Sequence, residues 1–241
     1  YMDVQLFIPC YIDQLYPQTG FNVIKILEKV GCRVHYNSNQ TCCGQPAFNS
    51  GYWKETAYLA EKFLCDFNSD MPIVSPSGSC TGFILHHYNK LLANNPELLQ
   101  KFEEIKSQLY ELTDFLVNIL KTEDLGAVFP HKITFHDACS ALREYGLKDE
   151  PRKLLKQVEG LQLVEMDEND TCCGFGGTFA VKNHAISTSM TARKVANSLR
   201  TEAEFIVSTE ASCLMNINSY CKKHNLSIRG IHLADVLASG Y

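Results

Sequence analysis

Asn39-Gln40-Thr41-Cys42-Cys43-Gly44 recurs later in the chain as Asn169-Asp170-Thr171-Cys172-Cys173-Gly174. The likeness extends on both sides. Upstream, Val4-Gln5-Leu6-Phe7-Ile8-Pro9-Cys10 matches Ile133-Thr134-Phe135-His136-Asp137-Ala138-Cys139. Downstream, Ile73-Val74-Ser75-Pro76-Ser77-Gly78-Ser79-Cys80 matches Ile206-Val207-Ser208-Thr209-Glu210-Ala211-Ser212-Cys213, and Leu112–Leu116 resembles Leu233–Leu237. Cys10 lies 32 positions before Cys42, and Cys139 lies 33 before Cys172; Cys43 to Cys80 is 37 positions, and Cys173 to Cys213 is 40. Matched flanks and matched spacing together point to an internal duplication, with halves expected at 2–121 and 130–241.

Apolar periodicity gives each half the same alternation of strand and helix. In the first half, strands are expected at 4–9, 32–36 and 73–75, and helices at 21–30, 52–67 and 81–92. In the second, strands are expected at 133–135, 161–165 and 205–208, and helices at 152–158, 184–199 and 213–224. A further strand at 227–231 precedes a closing helix at 232–237. Strands alternating with helices call for parallel sheets with right-handed crossovers. The expected fold class is therefore α/β: two pseudo-symmetric Rossmann-like halves with parallel sheets, related by a pseudo-twofold axis.

This arrangement gives the repeated cysteines one address. Cys10, the Cys42–Cys43 pair and Cys80 each follow a strand, as do Cys139, the Cys172–Cys173 pair and Cys213. Open parallel sheets bind ligands beyond the carboxyl ends of their strands. Adjacent cysteines on a regular strand face opposite ways, so each pair needs a bend to face one ligand. Gly44 and Gly174 permit it, because glycine reaches positive φ. Cys80 and Cys213 open predicted helices, where free amides and the positive dipole end favour a thiolate.

The 241 residues are 45% hydrophobic and 20% charged, the balance of a globular protein with a real core, and the net charge is −5. No basic stripe supports nucleic-acid binding, and no apolar run approaches a membrane span. Tyr1 precedes Met2, which is the expected natural start. The run 4–9 is too short for a secretory signal, so the expected location is the cytoplasm. There the eleven cysteines point to metal or redox use rather than to disulfides. Four thiolates per half suit an iron–sulfur cluster. Zinc is the alternative, although neither half has the usual C-x₂₋₄-C knuckle, and a dithiol is the third. Cys32, Cys65 and Cys221 fall outside the repeat and are expected to be small buried hydrophobes.

At Cys10–Pro17, Thr41–Gly51, Ser75–Cys80, Thr171–Phe179 and Ser212–Asn216 the chain resembles the cysteine-rich CCG-domain family. That family includes the cysteine-rich component of heterodisulfide reductase, the iron–sulfur subunits of glycolate oxidase and anaerobic glycerol-3-phosphate dehydrogenase, and the lactate utilisation proteins, whose branch the segments resemble most. The resemblance implies an iron–sulfur oxidoreductase subunit, inactive alone, in a three-protein system oxidising L-lactate to pyruvate. Its implied partners are a ferredoxin-like iron–sulfur subunit and a third, smaller one. The implied cofactor is an iron–sulfur cluster, 4Fe-4S, one per half. The fuller family motif ends in C-x-x-C and supplies five cysteines to each cluster, but here Ser77 and Glu210 stand at the first position of that pair. Four-cysteine sites are therefore expected: Cys10, Cys42, Cys43 and Cys80; and Cys139, Cys172, Cys173 and Cys213. Ser77 and Glu210 read as loop residues, with weak oxygen ligation as the other reading.

Three further residues are catalytic candidates. His136 and Asp137 sit just before Cys139, placed either to support the metal site through hydrogen bonds or transfer protons, or simply to close a loop. Arg143 is placed either to bind a substrate carboxylate or to form a surface salt bridge. His86 and His87 are expected to pack on their helix. The run 174–177 lacks the strand–GxGxxG–helix setting of a phosphate loop, and close backbone approach to a metal centre accounts better for its glycines. No flavin or nicotinamide fingerprint is present.

Overall fold

The computed structural model describes residues 1–68 and 70–241. Short β-branched and aliphatic runs form two four-stranded, all-parallel sheets. The first contains β1 (Met2–Leu6), β2 (Cys32–Tyr36), β3 (Ile73–Ser75) and β4 (Leu109–Glu111) in the order β2-β1-β3-β4. The second contains β5 (Lys132–Phe135), β6 (Gln162–Leu163), β7 (Phe205–Ser208) and β8 (Arg229–His232) in the order β6-β5-β7-β8. The identical order in two halves is the architecture of a duplicated α/β unit.

The connections are helical, as parallel pairing requires. In the first half α1 (Cys10–Leu15) and α2 (Pro17–Lys29) lead from β1 to β2, and α3 (Gln45–Asn49) and α4 (Trp53–Asp66) lead to β3. Then come α5 (Gly78–Leu91), α6 (Pro96–Lys106), and α7 (Leu112–Asp114) running into a π-helical turn at Phe115–Ile119. The second half has a π-helical turn at Ala141–Tyr145, then α8 (Glu150–Lys156), α9 (Thr178–Lys182), α10 (His184–Leu199), α11 (Ala211–Lys223) and α12 (Leu233–Leu237). The strand expected at 227–231 is thus no addition peculiar to the second half, because β4 is its counterpart. The strand expected at 161–165 shrinks to two residues.

Period-two alternation divides the interior into three clusters. Val4, Leu6 and Val74 from the first sheet meet Ile133, Phe135 and Val207 from the second in a central core with Leu112, Leu116, Leu233 and Leu237. Ile73 points to an outer cluster with Phe63, Phe83 and Tyr88, and Ile206 to another with Val195 and Ile217. The central core belongs to both halves at once.

Polar contacts pin the seam. Thr19 Oγ1 and Asn22 Nδ2 on α2 donate to the Asp235 carboxylate on α12, both at 2.9 Å. Tyr145 Oη donates to Asp114 at 2.6 Å and accepts from the Glu111 amide. His86 bonds the Glu144 carbonyl oxygen across the seam, while His87 stacks on Phe83.

α5 lies against the 141–145 turn so closely that a Cβ on Gly78 would stand 2.6 Å from Ala141 Cβ. Gly78→Ala is expected to cost about 2 kcal/mol through overpacking, read as a lower urea midpoint. Gly20→Ala, whose new Cβ would meet only side-chain atoms at 3.7 Å or beyond, is expected to stabilise α2 by about 0.5–1 kcal/mol.

Candidate metal centre

The strand order in each half reverses direction between the first and third strands, so a crevice opens at their carboxyl ends. The repeated cysteines converge there. In the first half Cys10 Sγ lies 3.7 Å from Cys42 Sγ, and Cys42 and Cys80 are near enough to Cys43 to shift its ionisation. In the second half Cys139 lies near Cys172, and Cys172 and Cys213 near Cys173, in the same sequence of mutual influence. All eight line a single cavity of about 120 Å³ between the two halves. The foursomes therefore face each other rather than opening on separate surfaces.

Local backbone geometry explains how two adjacent thiols reach one site. Gly44 and Gly174 adopt φ of +93° and +89°, which turns the chain immediately after each pair. Each glycine amide then donates back to the thiol two residues earlier, Gly44 to Cys42 at 3.4 Å and Gly174 to Cys172 at 3.3 Å. Cys80 and Cys213 each occupy the third position of a helix, where the positive end of the helix dipole favours an anionic sulfur. The Cys43 carbonyl is held by Tyr88 Oη at 2.8 Å, and the Cys173 carbonyl by Thr191 Oγ1 at 2.8 Å and Asn216 Nδ2 at 3.2 Å.

The thiols compete for ionisation. Cys42 is drawn well below the ordinary thiol range by hydrogen bonds from Cys10 and Cys43. The same bond, together with burial, pushes Cys10 up, and Cys139 is pushed up by its bond to Cys172 and by burial. A bound cation ends such competition, because metal binding displaces thiol protons. The donor set therefore fits a thiolate-bound metal or cluster.

The two foursomes differ in the residues that back them. Behind Cys43 stands Phe7, edge-on to Phe63 and Phe67 at 5.3 and 5.7 Å. The equivalent place in the second half holds His136; the Phe7 amide bonds the Val74 carbonyl and the His136 amide bonds the Val207 carbonyl. His136 is fully buried, and burial, helped by Lys194, lowers its pKa to about 3. Lys194 is also buried and donates to the carbonyl oxygens of Glu168 and Asn169 at 2.5 and 3.0 Å.

The remaining sequence candidates separate. Asp137 is taken up by Arg152, a residue that no motif marks, in a bidentate pair at 2.9 and 2.7 Å. Arg152 also pairs with Glu165 and lies over the Phe135 ring. Arg143 is exposed, outside the cavity wall, and donates to the Asp170 carbonyl at 3.3 Å rather than to an acid. Cys32 and Cys221 are buried as expected, but Cys65 is exposed, because it falls on the solvent side of α4.

Ser77 and Glu210 find each other across the seam. The Glu210 carboxylate accepts from Ser77 Oγ at 3.0 Å, Ser79 Oγ at 2.7 Å and the Ser79 amide at 2.6 Å. A second-half acid thus caps a first-half helix, α5. Burial raises the Glu210 pKa to about 7 even though the Ser79 and Ser77 hydrogen bonds oppose it. The folded state therefore holds a proton that the unfolded chain gives up near 4.5. That contribution to stability is complete below pH 4.5 and is lost as pH rises to about 7. At 1.36 kcal/mol per unit it amounts to about 3 kcal/mol. Urea titrations across this window are expected to show the metal-free chain losing stability relative to Glu210→Gln as pH rises. Identical slopes in the two proteins would contradict this.

Among the described residues no helix is long and apolar enough to cross a membrane. The CCG family, described as a cysteine-rich domain, matches residues 4–84 and again 133–218. Lactate utilization protein A 2 of Bacillus cereus (strain AH820) is 41% identical over 239 residues, covering 99% of both chains. Lactate utilization protein A of Shouchella clausii is 42% identical over 238 residues at the same coverage. Among solved structures, a hypothetical protein from Helicobacter pylori superposes with a TM-score of 0.67 at 14% identity. It covers 99% of this chain, which spans 49% of that one, and it shares the fold alone.

Proposed function

The chain belongs to the cysteine-rich CCG family as a homologue of lactate utilization protein A, and from that premise we propose that it is an iron–sulfur redox subunit of a multi-protein system oxidising L-lactate to pyruvate. The observation that carries this reading is the gathering of four thiols at the carboxyl edge of each sheet, facing one cavity. Cys10, Cys42, Cys43 and Cys80 hold one centre in unit 2–121, and Cys139, Cys172, Cys173 and Cys213 hold the other in unit 130–241. A 4Fe-4S cluster in each place supplies one-electron transfer when bound.

The chain's own groups prepare for that charge. The glycine amides and the N-terminal ends of α5 and α11 point positive dipoles at the sulfurs. The aromatic wall of Phe7, Phe63 and Phe83 keeps water from the first centre, and buried Lys194 places a cation near the second. The proposed setting is the cytoplasm, with a ferredoxin-like iron–sulfur subunit and a third small subunit as partners.

Zinc is favoured as an alternative for the second half by one observation, the closeness of an imidazole to two of its thiols; in that reading the protein is an assembly scaffold. Anaerobic purification with iron, sulfide and zinc analysis decides between them. Iron and sulfide in equal amounts, with sulfur-to-iron absorbance near about 400 nm, support the redox reading. Colourless protein with stoichiometric zinc overturns it.

A further inference from the structure

Beside the second foursome lies a buried polar atom for which the four-thiol description has no use. His136 Nδ1 lies 3.3 Å from the Asn169 carbonyl oxygen. A carbonyl only accepts, so Nδ1 carries the ring hydrogen. In the neutral ring Nε2 is then a bare lone pair. Nε2 is fully buried and has no hydrogen-bond partner among the described residues. The His136 ring forms a buried trio with Cys173 and Cys213, in which one ring nitrogen and the two Sγ atoms all lie within 4.8 Å of one another.

Metal-bound histidines commonly show this pattern, with one nitrogen donating to a backbone carbonyl and the other free for the ion. Lys194 reinforces it by donating to the same Asn169 carbonyl at 3.0 Å, which fixes the acceptor in place. A tetrahedral ion with bonds of about 2.0 Å to nitrogen and about 2.3 Å to sulfur holds its donors roughly 3.5–3.8 Å apart. Small side-chain rotations bring the trio to that spacing. The first half has no equivalent, since Phe7 occupies the matching position.

We propose that His136 Nε2 is a ligand of the second centre beside Cys173 and Cys213, so that the two halves hold chemically unequal sites, one all-sulfur and one mixed nitrogen–sulfur. The proposal rests on the reading of the cysteines as metal-binding, and its test separates the two.

The test loads the 241-residue chain anaerobically with cobalt(II), without iron or sulfide, and records sulfur-to-cobalt absorption and pulsed electron paramagnetic resonance. The unsubstituted chain is expected to show one directly bound nitrogen, whose coupling changes on histidine-specific ¹⁵N labelling. His136→Phe, which copies the first half, is expected to lose that coupling while keeping the first site's sulfur absorption. Its second cobalt is expected to bind more weakly by at least the roughly 10- to 100-fold that loss of an outer hydrogen-bonding partner alone produces. The ¹⁵N experiment needs no substitution, so it reads the site even where the variant folds poorly. Cobalt bound through sulfur alone in the unsubstituted chain overturns the proposal and leaves the thiolate reading standing. A nitrogen coupling that survives in His136→Phe comes from a surface imidazole and overturns it too. Absence of any sulfur-bound cobalt overturns the thiolate reading and the proposal with it.

Discussion

Cys43→Ser is expected to remove half of the iron and half of the visible absorbance that anaerobically loaded protein carries, and Cys173→Ser is expected to remove the other half. Each of these thiols is only 2% exposed and links an outer pair of thiols to the helix-borne one. No described thiol beyond the eight lines the cavity to take its place, and a serine hydroxyl is a poor match for a soft metal. The fold is expected to survive, because both loops are anchored through backbone carbonyls by Tyr88, Thr191 and Asn216, which the substitution leaves alone. Circular dichroism and the thermal midpoint should therefore change little while iron per chain falls. Full iron in both variants would show that the thiols had been assigned the wrong task.

Gly174→Ala is expected to be the most damaging small substitution in the second half. Its φ of +89° already disfavours any side chain, and the added Cβ would stand 2.5 Å from the Ser187 carbonyl oxygen, a backbone atom of α10. Residues forced into the left-handed region cost about 1–3 kcal/mol, and moving a helix backbone adds to that, so a loss of about 3 kcal/mol or more is expected in urea unfolding. Gly146→Ala separates the two causes: its φ of +92° is left-handed too, but the new Cβ meets nothing within 4 Å. It should cost only about 1 kcal/mol. Equal losses at the two positions would show that the backbone clash is relieved at no cost.

Much of this arrangement is legible in the residues. The matched cysteine flanks fix which loops meet, and the apolar spacing of His184–Leu199 reproduces α10 to the residue. Other elements carry a weaker signal. β4 is three residues long, too short to display alternation. α6 does have cues that the expected elements leave out: an Asn95 cap, Pro96 in its first turn, and Phe102 and Ile105 on its buried side. The contacts that make the site specific are not legible at all. Glu210 meets Ser79 across 131 positions of sequence, and no local pattern encodes a pairing between the two copies of a repeat. Arg152 escapes notice for the same reason, since an arginine on a helix looks alike whether it is solvated or clamped between Asp137 and Glu165.

The interior held in common by both sheets bears on how the chain is made. While residues of the second half are still being added, at about 5–20 per second, Val4, Leu6 and Val74 have no Ile133, Phe135 or Val207 to lie against. For on the order of ten seconds, an oily sheet face waits for its twin to leave the ribosome. The cavity between the sheets takes shape only after that wait, because residues of both copies line it.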